Sequence, residues 1–436
     1  MTTPDERPQR DVESSLSTLA TRMDAGDLLP SEAVADALER LDRTEPSIQA
    51  WVRVDRKGAL DAARTLDHAP RRGLLHGIPF GVKDIIDLKG LPTECGSPLR
   101  RGRVADDDAP LVARLRELGA IPLGKTVTTE FAYFAPGPTR NPHRRSHTPG
   151  GSSSGSAAAV AAGMVPLALG SQTAGSLTRP ASYCGIAGLV APVGGPLDTT
   201  GFAGLSHTLD AAGILTRTVT DLRLAYLALT GQDRPADPVR NLERPRLAVW
   251  SGKELADISD DMQTAVRCTV DAAVAEGAEL VDYDWPAITP LLVEAHGTVM
   301  AYEASRALAL EGQHPTQLSA PLNDLLALGR NIADDDYRDA LAISVRAQAE
   351  VLALLADVDA IIGPAAPGAA PEGLSATGSP ILSRPWQLLG LPALTVPGRL
   401  DGQRMPLGIQ LIGHPSRVEQ LLSLGICIEK SSRRPV

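Results

Sequence analysis

Apolar runs of two kinds alternate along the chain, and this alternation constrains the fold more than any other feature. A helical period of apolar residues marks three segments: one that begins at Ser31, one over residues 111–118, and one that starts after Ser259 and stops at Gly277. Strand-like runs recur over residues 120–123 and in RLAVW, VDAIIG, LPALTVP and PLGIQLIG. Ser31 is expected to cap the first helix. The alternation predicts an α/β fold, a sheet covered by helices on both faces.

Length and composition set the scale of the fold. At 436 residues with 43% hydrophobic content, the chain can bury a large core, in one large domain or in two or three ordinary ones. Residues 290–357 form a mainly helical stretch between strand regions. We interpret this stretch as an insertion that covers a pocket.

Charge and cysteine usage exclude several classes of protein. A net charge of -10 disfavours a nucleic-acid partner or an anionic membrane surface, because both require a basic surface. The four cysteines are scattered without a C-x-x-C pair, so neither a disulfide framework nor a zinc knuckle is indicated. Without an apolar leader at the N-terminus, a cytoplasmic location is expected. The nearly apolar run 157–170 is short and is broken by Pro166, which suits a buried element better than a membrane span.

The loop PGGSSSGSAAAVAAG, residues 149–163, places three serines between glycines and then enters a compact, helix-forming run. Flexible linkers continue into polar residues instead, so a buried role is favoured. Ser153 satisfies the G-x-S-x-G pattern of a nucleophile elbow. An elbow requires a strand directly upstream, however, and the residues upstream contain two prolines and three charged side chains.

A second serine stretch, LGSQTAGSLTRPASYCG, follows a strand-like run. A sharp turn there would leave Ser176 at the start of a new segment. Backbone N–H groups of residues 173–176 could then converge on one point, as an oxyanion hole requires. The alternative is a turn that merely links a strand to a helix.

Lys83 lies among apolar neighbours in GIPFGVKDIID, in a chain that has only six lysines. A buried lysine has a lowered pKa and can accept a proton, which an arginine cannot do. The alternative is an ion-paired or surface-reaching lysine, with Asp84 as a candidate partner.

These three segments together resemble the lysine and glycine/serine-rich signatures of the amidase signature family. The similarity extends over nearly the whole chain, through LPSEAVADALERLDRTEPSIQAWVRVD, GKTVTTEFAY, HTLDAAGILTRTVTDLRLAY, LGLPALTVPG and PLGIQLIG. The resemblance implies the amidase-signature fold, a large twisted mixed β-sheet covered by helices on both faces, as one domain over residues 1–436.

The resemblance also implies a Ser-cisSer-Lys triad. Carried over to this chain, Ser176 is the nucleophile, Ser152 the bridging serine after a cis peptide from Gly151, and Lys83 the base. The oxyanion of an acyl-enzyme reaction would be held by backbone N–H groups, those of Thr173, Ala174, Gly175 and Ser176. No metal or organic cofactor is implied, and no histidine takes part.

Several positions depart from the commonest family pattern and concern the substrate. Gln172, Ala174 and Thr178 stand where most members have Asp, Gly and Arg, and Arg179 follows one position later. This arrangement is similar to malonamidase-like members, in which an arginine here can bind a carboxylate of the substrate. We therefore expect a small or carboxylate-bearing amide, with Gly151 and Arg179 as substrate-binding residues. A structural ion pair of Arg179 is the alternative.

Three other functions remain open. The first is an amidotransferase A subunit that works with a partner, the second a homologue that binds without catalysis, and the third a Ser-His-Asp hydrolase that uses Ser153. Residues 125–147 and 290–390 are expected to shape the pocket. Side chains that could contribute to it are Tyr133, Phe134, Tyr302 and Trp386, with His143 and His147 at its entrance. The expected partner is a small-molecule amide, and the expected assembly is a homodimer.

Overall fold

The computed structural model describes residues 14–231 and 244–432. Their helices are α1 (Leu16–Asp24), α2 (Pro30–Ile48), α3 (Arg56–Asp67), α4 (Pro110–Glu117), α5 (Ser154–Ala161), α6 (Thr178–Cys184), α7 (Val219–Leu229), α8 (Asp260–Ala275), α9 (Thr289–Ala307), α10 (Ala320–Asn331), α11 (Asp334–Asp357), α12 (Arg384–Leu388) and α13 (Val418–Ser432). Their strands are β1 (Trp51–Val54), β2 (Pro79–Lys83), β3 (Ile121–Thr126), β4 (Leu167–Gln172), β5 (Ala187–Val190), β6 (Ala211–Thr216), β7 (Arg246–Val249), β8 (Glu279–Val281), β9 (Ala360–Pro364), β10 (Ala393–Leu400) and β11 (Pro406–Ile412).

These strands form one mixed sheet of eleven, in the order β1-β3-β2-β4-β6-β5-β10-β11-β9-β7-β8. Strand β2 runs parallel to both β3 and β4, and β7 runs parallel to both β8 and β9. The other neighbouring pairs are antiparallel. The carboxyl ends of β2, β3 and β4 therefore meet at one edge of the sheet, where α/β folds commonly bind ligands.

Helices cover both faces of this sheet. On one face α5 packs on β2 and β4, and α6 packs on β10 and β11. On the other face α7 and α13 pack on each other and on the central strands, with α8 beside them. The predicted α/β fold is thus confirmed.

The apolar core extends without interruption from α1 to α13. It includes the helices between residues 289 and 357 through Leu292, Leu322 and Val351. This continuity supports the prediction of a single domain, which stays a prediction. The predicted helical stretch is helical, and its interpretation as an insertion that covers a pocket also stays a prediction.

Local signals predicted several boundaries and failed at one. Ser259 caps α8, because its side chain accepts a hydrogen bond from the N–H of Met262 at 3.3 Å. The prediction that Ser31 caps a helix is wrong, since α2 begins one residue earlier with Leu29 as its N-cap. Pro30 suits the first helical position because its φ is already fixed and it needs no acceptor for an N–H. The carboxylate of Glu32 then accepts a hydrogen bond from the N–H of Leu29 at 2.9 Å.

None of the helices in the described ranges is both long and apolar enough to cross a membrane. The four cysteines are free thiols.

Candidate active site

The end of β2 brings Lys83 into a fully buried polar site. Its Nζ donates hydrogen bonds to the Oγ of Ser152 at 2.7 Å and to the Oγ of Ser171 at 2.8 Å. Ser171 lies near the end of β4, the parallel neighbour of β2, so the sheet itself sets this contact. The side chain of Lys83 is 0% exposed. Burial lowers the pKa of Lys83 to about 7, while the negative charge of Asp210 opposes that shift.

The glycine-rich loop carries Ser152 into contact with Lys83 just before α5 begins. The peptide bond between Gly151 and Ser152 is cis, as the resemblance implies. Gly150 has φ +83, and a Cβ there would lie 2.9 Å from the Cα of Pro180, so only glycine fits. The loop is therefore packed tightly against the start of α6 and is not a linker.

The hydroxyl of Ser153 is hydrogen-bonded to the backbone of β4. Its Oγ donates to the carbonyl of Ser171 at 3.2 Å and accepts from the N–H of the same residue at 3.3 Å. The side chain is 0% exposed, and no strand directly precedes the loop. Neither the exposed hydroxyl nor the upstream strand of a nucleophile elbow is present at Ser153.

Residues 173–176 form the turn between β4 and α6. Their N–H groups donate no hydrogen bond to any residue within the ranges 14–231 and 244–432. The carbonyl of Ser176 accepts a hydrogen bond from the N–H of Ser153 at 3.0 Å, which ties this turn to the serine loop. Buried backbone donors are rarely left unpaired, so these groups are available to the oxygen of a ligand.

A pocket with an empty volume of about 340 Å³ opens beside this turn. Its lining consists of Ala132, Tyr133, Phe134, Ser152, Thr173, Ala174, Ser176, Arg179, Leu205, Met300, Thr377 and Pro380. Of the aromatic candidates, Tyr133 and Phe134 thus reach the pocket. Tyr302 lines a separate cavity, and Trp386 is buried against other tryptophans.

Neither predicted entrance histidine lines this pocket. The Nε2 of His143 lies 3.0 Å from the carbonyl oxygen of Cys184, and the Nδ1 of His147 lies 2.9 Å from the Oγ of Ser146. Instead α9 supplies Met300, which lies in the range 290–390 that was expected to shape the pocket but was not singled out as a side chain.

Gln172, which replaces the usual family Asp, caps α6. Its Oε1 accepts hydrogen bonds from the N–H groups of Leu177 and Thr178, each at 3.0 Å. Its Nε2 donates to the Oε1 of Gln387 at 3.0 Å. The neutral amide of Gln172 therefore supplies the acceptor that the start of the helix requires. Gln387 on α12 holds this amide in place.

Asp210 is a half-buried acid in the segment HTLDAAG that the sequence alone did not single out. Its carboxylate accepts hydrogen bonds from the Oγ1 of Thr173 and, at 3.0 Å, from the N–H of Ser206. Burial raises the pKa of Asp210 to about 6, against the effect of these hydrogen bonds and of the charge on Lys83. Asp210 thus links the turn at 173–176 to the electrostatics of Lys83.

Arg179 is 4% exposed and lines the pocket. One of its amino groups donates to the carbonyl of Gly151 at 2.6 Å and to the Oγ1 of Thr377 at 3.1 Å. Its Nε and other amino group have no hydrogen-bond partner among the residues that the structure describes. Burial lowers the pKa of Arg179 to about 10, which leaves a cation at neutral pH. The site thus has spare donors for an anion.

No group of three or more His, Cys, Asp or Glu side chains that could hold a metal ion occurs in the described part of the chain.

Comparisons with known proteins agree with this architecture. The family model described as Amidase matches residues 32–422. The A subunit of the glutamyl-tRNA(Gln) amidotransferase of Akkermansia muciniphila is 33% identical over 476 aligned positions, which cover 96% of this chain and 99% of the relative.

Solved structures give the same result. A crystal structure of an amidase is 30% identical with a TM-score of 0.86, over 95% of this chain and 99% of that one. The native peptide amidase from Stenotrophomonas maltophilia is 28% identical with a TM-score of 0.82, over 98% and 99%. Because the family model, the relative and the structures all match over nearly the whole length, the chain belongs to the amidase signature family.

Proposed function

We propose that this protein is an amidase that hydrolyses a carboxamide to a carboxylic acid and ammonia or an amine, through an acyl-enzyme on Ser176. The observation that carries the proposal is the contact of 2.7 Å between the Nζ of Lys83 and the Oγ of Ser152. This contact lies in a buried site beside a pocket that Ser176 also lines. A lysine whose pKa is near 7 is a competent base at neutral pH, because its neutral amine is accessible there.

The first half of the reaction forms the acyl-enzyme. The Oγ of Ser176 attacks the amide carbon and gives its proton to Ser152, which passes its own proton to the neutral Nζ of Lys83. The carbonyl oxygen becomes an oxyanion held by the N–H groups of residues 173–176. When the C–N bond breaks, the leaving nitrogen takes a proton back along the same relay.

The second half releases the acid. Water enters the site vacated by the amine and gives a proton to Ser152 and thence to Lys83 as its oxygen attacks the ester carbon. The C–O bond to Ser176 then breaks, and the serine regains its proton. The reaction uses only side chains and backbone groups of this chain.

The substrate class follows from Arg179. Its unpartnered Nε and amino group suit a carboxylate, which accepts two parallel hydrogen bonds from a guanidinium. No carboxylate within the described ranges pairs with Arg179. We therefore favour a small amide that carries a carboxylate, processed in the cytoplasm. A homodimer stays a prediction.

The test of the reaction is ammonia release from aliphatic, aromatic and acidic amides by the purified single chain. We expect Ser176→Ala and Lys83→Ala to lower kcat/KM by about 10³-fold or more, because each interrupts the relay. Ser153→Ala is the matched control and should retain most of the activity. Loss of activity in the control with full activity in Lys83→Ala would contradict the proposal and favour a hydrolase that uses Ser153.

The test of the substrate class compares an acidic amide with its neutral isostere in Arg179→Ala. This arginine also holds the carbonyl of Gly151, so both substrates should slow. The acidic amide should lose about 10- to 100-fold more, as expected for a lost charged hydrogen bond. An equal loss for the two amides would refute a carboxylate site.

A second candidate function is that of an amidotransferase component that requires a partner. It is favoured by the 33% identity to an amidotransferase A subunit over nearly the full length of both chains. Ammonia release by the purified chain alone would count against it. Labelling of Ser176 by a fluorophosphonate without amide hydrolysis would favour it, whereas a chain that is neither labelled nor active would be a homologue without catalysis.

A further inference from the structure

His296 lies on α9, far along the chain from the serine loop, yet it contacts the candidate oxyanion hole. Its side chain is 0% exposed, and its Nε2 lies 2.9 Å from the carbonyl oxygen of Thr173. Thr173 is the first residue of the turn whose N–H groups have no acceptor among the residues that the structure describes. The sequence alone had suggested that the histidines take no part in the reaction.

The partner of His296 fixes its tautomer. A carbonyl oxygen only accepts, so Nε2 must carry the hydrogen and donate it. Nδ1 is then a bare acceptor, and it has no hydrogen-bond partner among the described residues. Burial lowers the pKa of His296 to about 3, and the charge of Arg384 acts in the same direction. The ring is therefore neutral at neutral pH and remains in one hydrogen-bonded form.

The hydrogen bond to the carbonyl of Thr173 also sets the direction of the N–H of Ala174. The C=O of Thr173 and the N–H of Ala174 belong to the same planar peptide unit, and in a trans unit they point in opposite directions. A donor that holds the carbonyl from the side of α9 consequently directs the N–H away from α9. Ala174 lines the pocket, and its N–H is unpaired within the described ranges.

We propose that His296 is a positioning residue that holds the Thr173–Ala174 peptide so that the N–H of Ala174 faces the substrate oxygen. The inference rests on the proposed amidase reaction. Thr173 is held from two sides, because its Oγ1 also donates to Asp210 while its carbonyl accepts from His296. Two independent contacts on one residue leave the peptide little freedom to flip.

A purely space-filling role for His296 does not account for its chemistry. An apolar side chain would fill the same position without leaving a buried Nδ1 unpaired. The only hydrogen bond that the imidazole makes in the described part of the chain is the one to Thr173. A polar residue at this position is therefore explained by the hydrogen bond that holds the Thr173–Ala174 peptide.

The experiment compares His296→Gln with His296→Asn. The amide nitrogen of Gln can occupy the position of Nε2 and reach the carbonyl, whereas that of Asn corresponds to Nδ1 and cannot. The two variants are matched in polarity, and His296→Leu removes the donor altogether. Melting temperature verifies folding, and the Gln and Asn pair decides the question if the Leu variant does not fold.

Two rates are measured for each variant. The first is the rate at which a fluorophosphonate phosphonylates Ser176. The phosphoryl oxygen of this probe binds in the oxyanion hole, and the measurement does not require that the substrate be known. The second is kcat for the best amide. Removal of one oxyanion donor lowers kcat by about 10²- to 10³-fold, so misdirection of one should cost about 10- to 100-fold in both rates. KM should change by less than about threefold, because the N–H acts mainly on the developing charge.

The expected result is a loss in His296→Asn and His296→Leu, with most of the rate restored in His296→Gln. Equal rates in the wild type and in His296→Asn would overturn the inference and leave the amidase proposal intact. A wild-type chain that is neither labelled at Ser176 nor active on amides would refute the proposed function itself. The two failures are thus distinguishable.

Discussion

Two lysines are fully buried near the ends of the neighbouring parallel strands β2 and β3, and their surroundings differ. The Nζ of Lys125 lies 3.2 Å from a carboxylate oxygen of Asp84 and donates to the carbonyl of Ile86 at 2.7 Å. Lys83 contacts serine hydroxyls instead. Burial lowers the pKa of both lysines, but only at Lys125 does an adjacent carboxylate counter it directly. Contact partners therefore distinguish the structural lysine from the candidate base.

The pH dependence of the reaction should report Lys83. The neutral amine is the active form, so kcat/KM should rise with pH through about 7. Asp210→Asn removes a negative charge that raises the pKa of Lys83, so the midpoint should shift to lower pH. The measurement is kcat/KM from pH 5 to 10, with Asp198→Asn, at an exposed position, as the control. A midpoint that moves upward in Asp210→Asn would contradict this electrostatic model.

Substitution of Lys125 and of Lys83 by an uncharged residue should have different effects on the free energy of unfolding. Lys125→Met leaves Asp84 buried without its partner and should lower the free energy of unfolding by about 3–5 kcal/mol. Lys83→Met should abolish activity, but it removes a buried amine that has no ion pair within the described ranges, so the free energy of unfolding at pH 7 should stay the same or rise. Urea unfolding of both variants tests this. Equal destabilisation of the two would show that the ion pair with Asp84 is not what stabilises Lys125.

At the scale of elements, α6 is a short helix whose start depends on one side chain. Its N-cap, Leu177, has no capping side chain, and Gln172 supplies the acceptor from the end of β4. The strand and the helix are thereby joined across the turn that carries Ser176. At residue 172 this chain thus supplies the acceptor with a neutral amide rather than with a charged side chain.

Substitution at residue 172 should reveal this link. Gln172→Leu leaves two N–H groups without an acceptor and should cost about 1–2 kcal/mol of stability, with a loss of activity because the turn moves. Gln172→Glu keeps a side-chain oxygen within reach of both N–H groups and should be milder in both respects. Thermal melting and kcat measure the two effects. A Glu variant as damaged as the Leu variant would indicate that contact with Gln387, not the cap, matters.

For the whole molecule, the uninterrupted core predicts joint unfolding of the sheet and the helices at 289–357. Leu322 on α10 is 0% exposed, and truncation to alanine should cost about 2–5 kcal/mol. We expect the loss to appear in one transition, with tryptophan fluorescence and circular dichroism coincident. Two separate transitions, with only the first shifted by Leu322→Ala, would show that these helices unfold on their own.

Much of the fold was predictable because its signals are local. Apolar periodicity located β7, β9, β10, β11 and α8, and the small side chains after the serine loop indicated a buried helix. The Ser31 prediction failed because two local signals lay side by side, and Pro30 started the helix one residue before the serine. Lys83 could be singled out because a lysine among apolar residues is unusual.

The sequence by itself thus determined part of the elements, the fold class and the candidate residues at the ends of β2 and β4. Only the tertiary structure decided which side chains meet: Lys83 and Ser171 are 88 residues apart in the chain, and His296 and Thr173 are 123 residues apart. The reason is physical, since periodicity and capping act within a few residues. Contacts such as those of Asp210 and His296 exist only once the strand order of the sheet and the packing of α9 have brought the segments together.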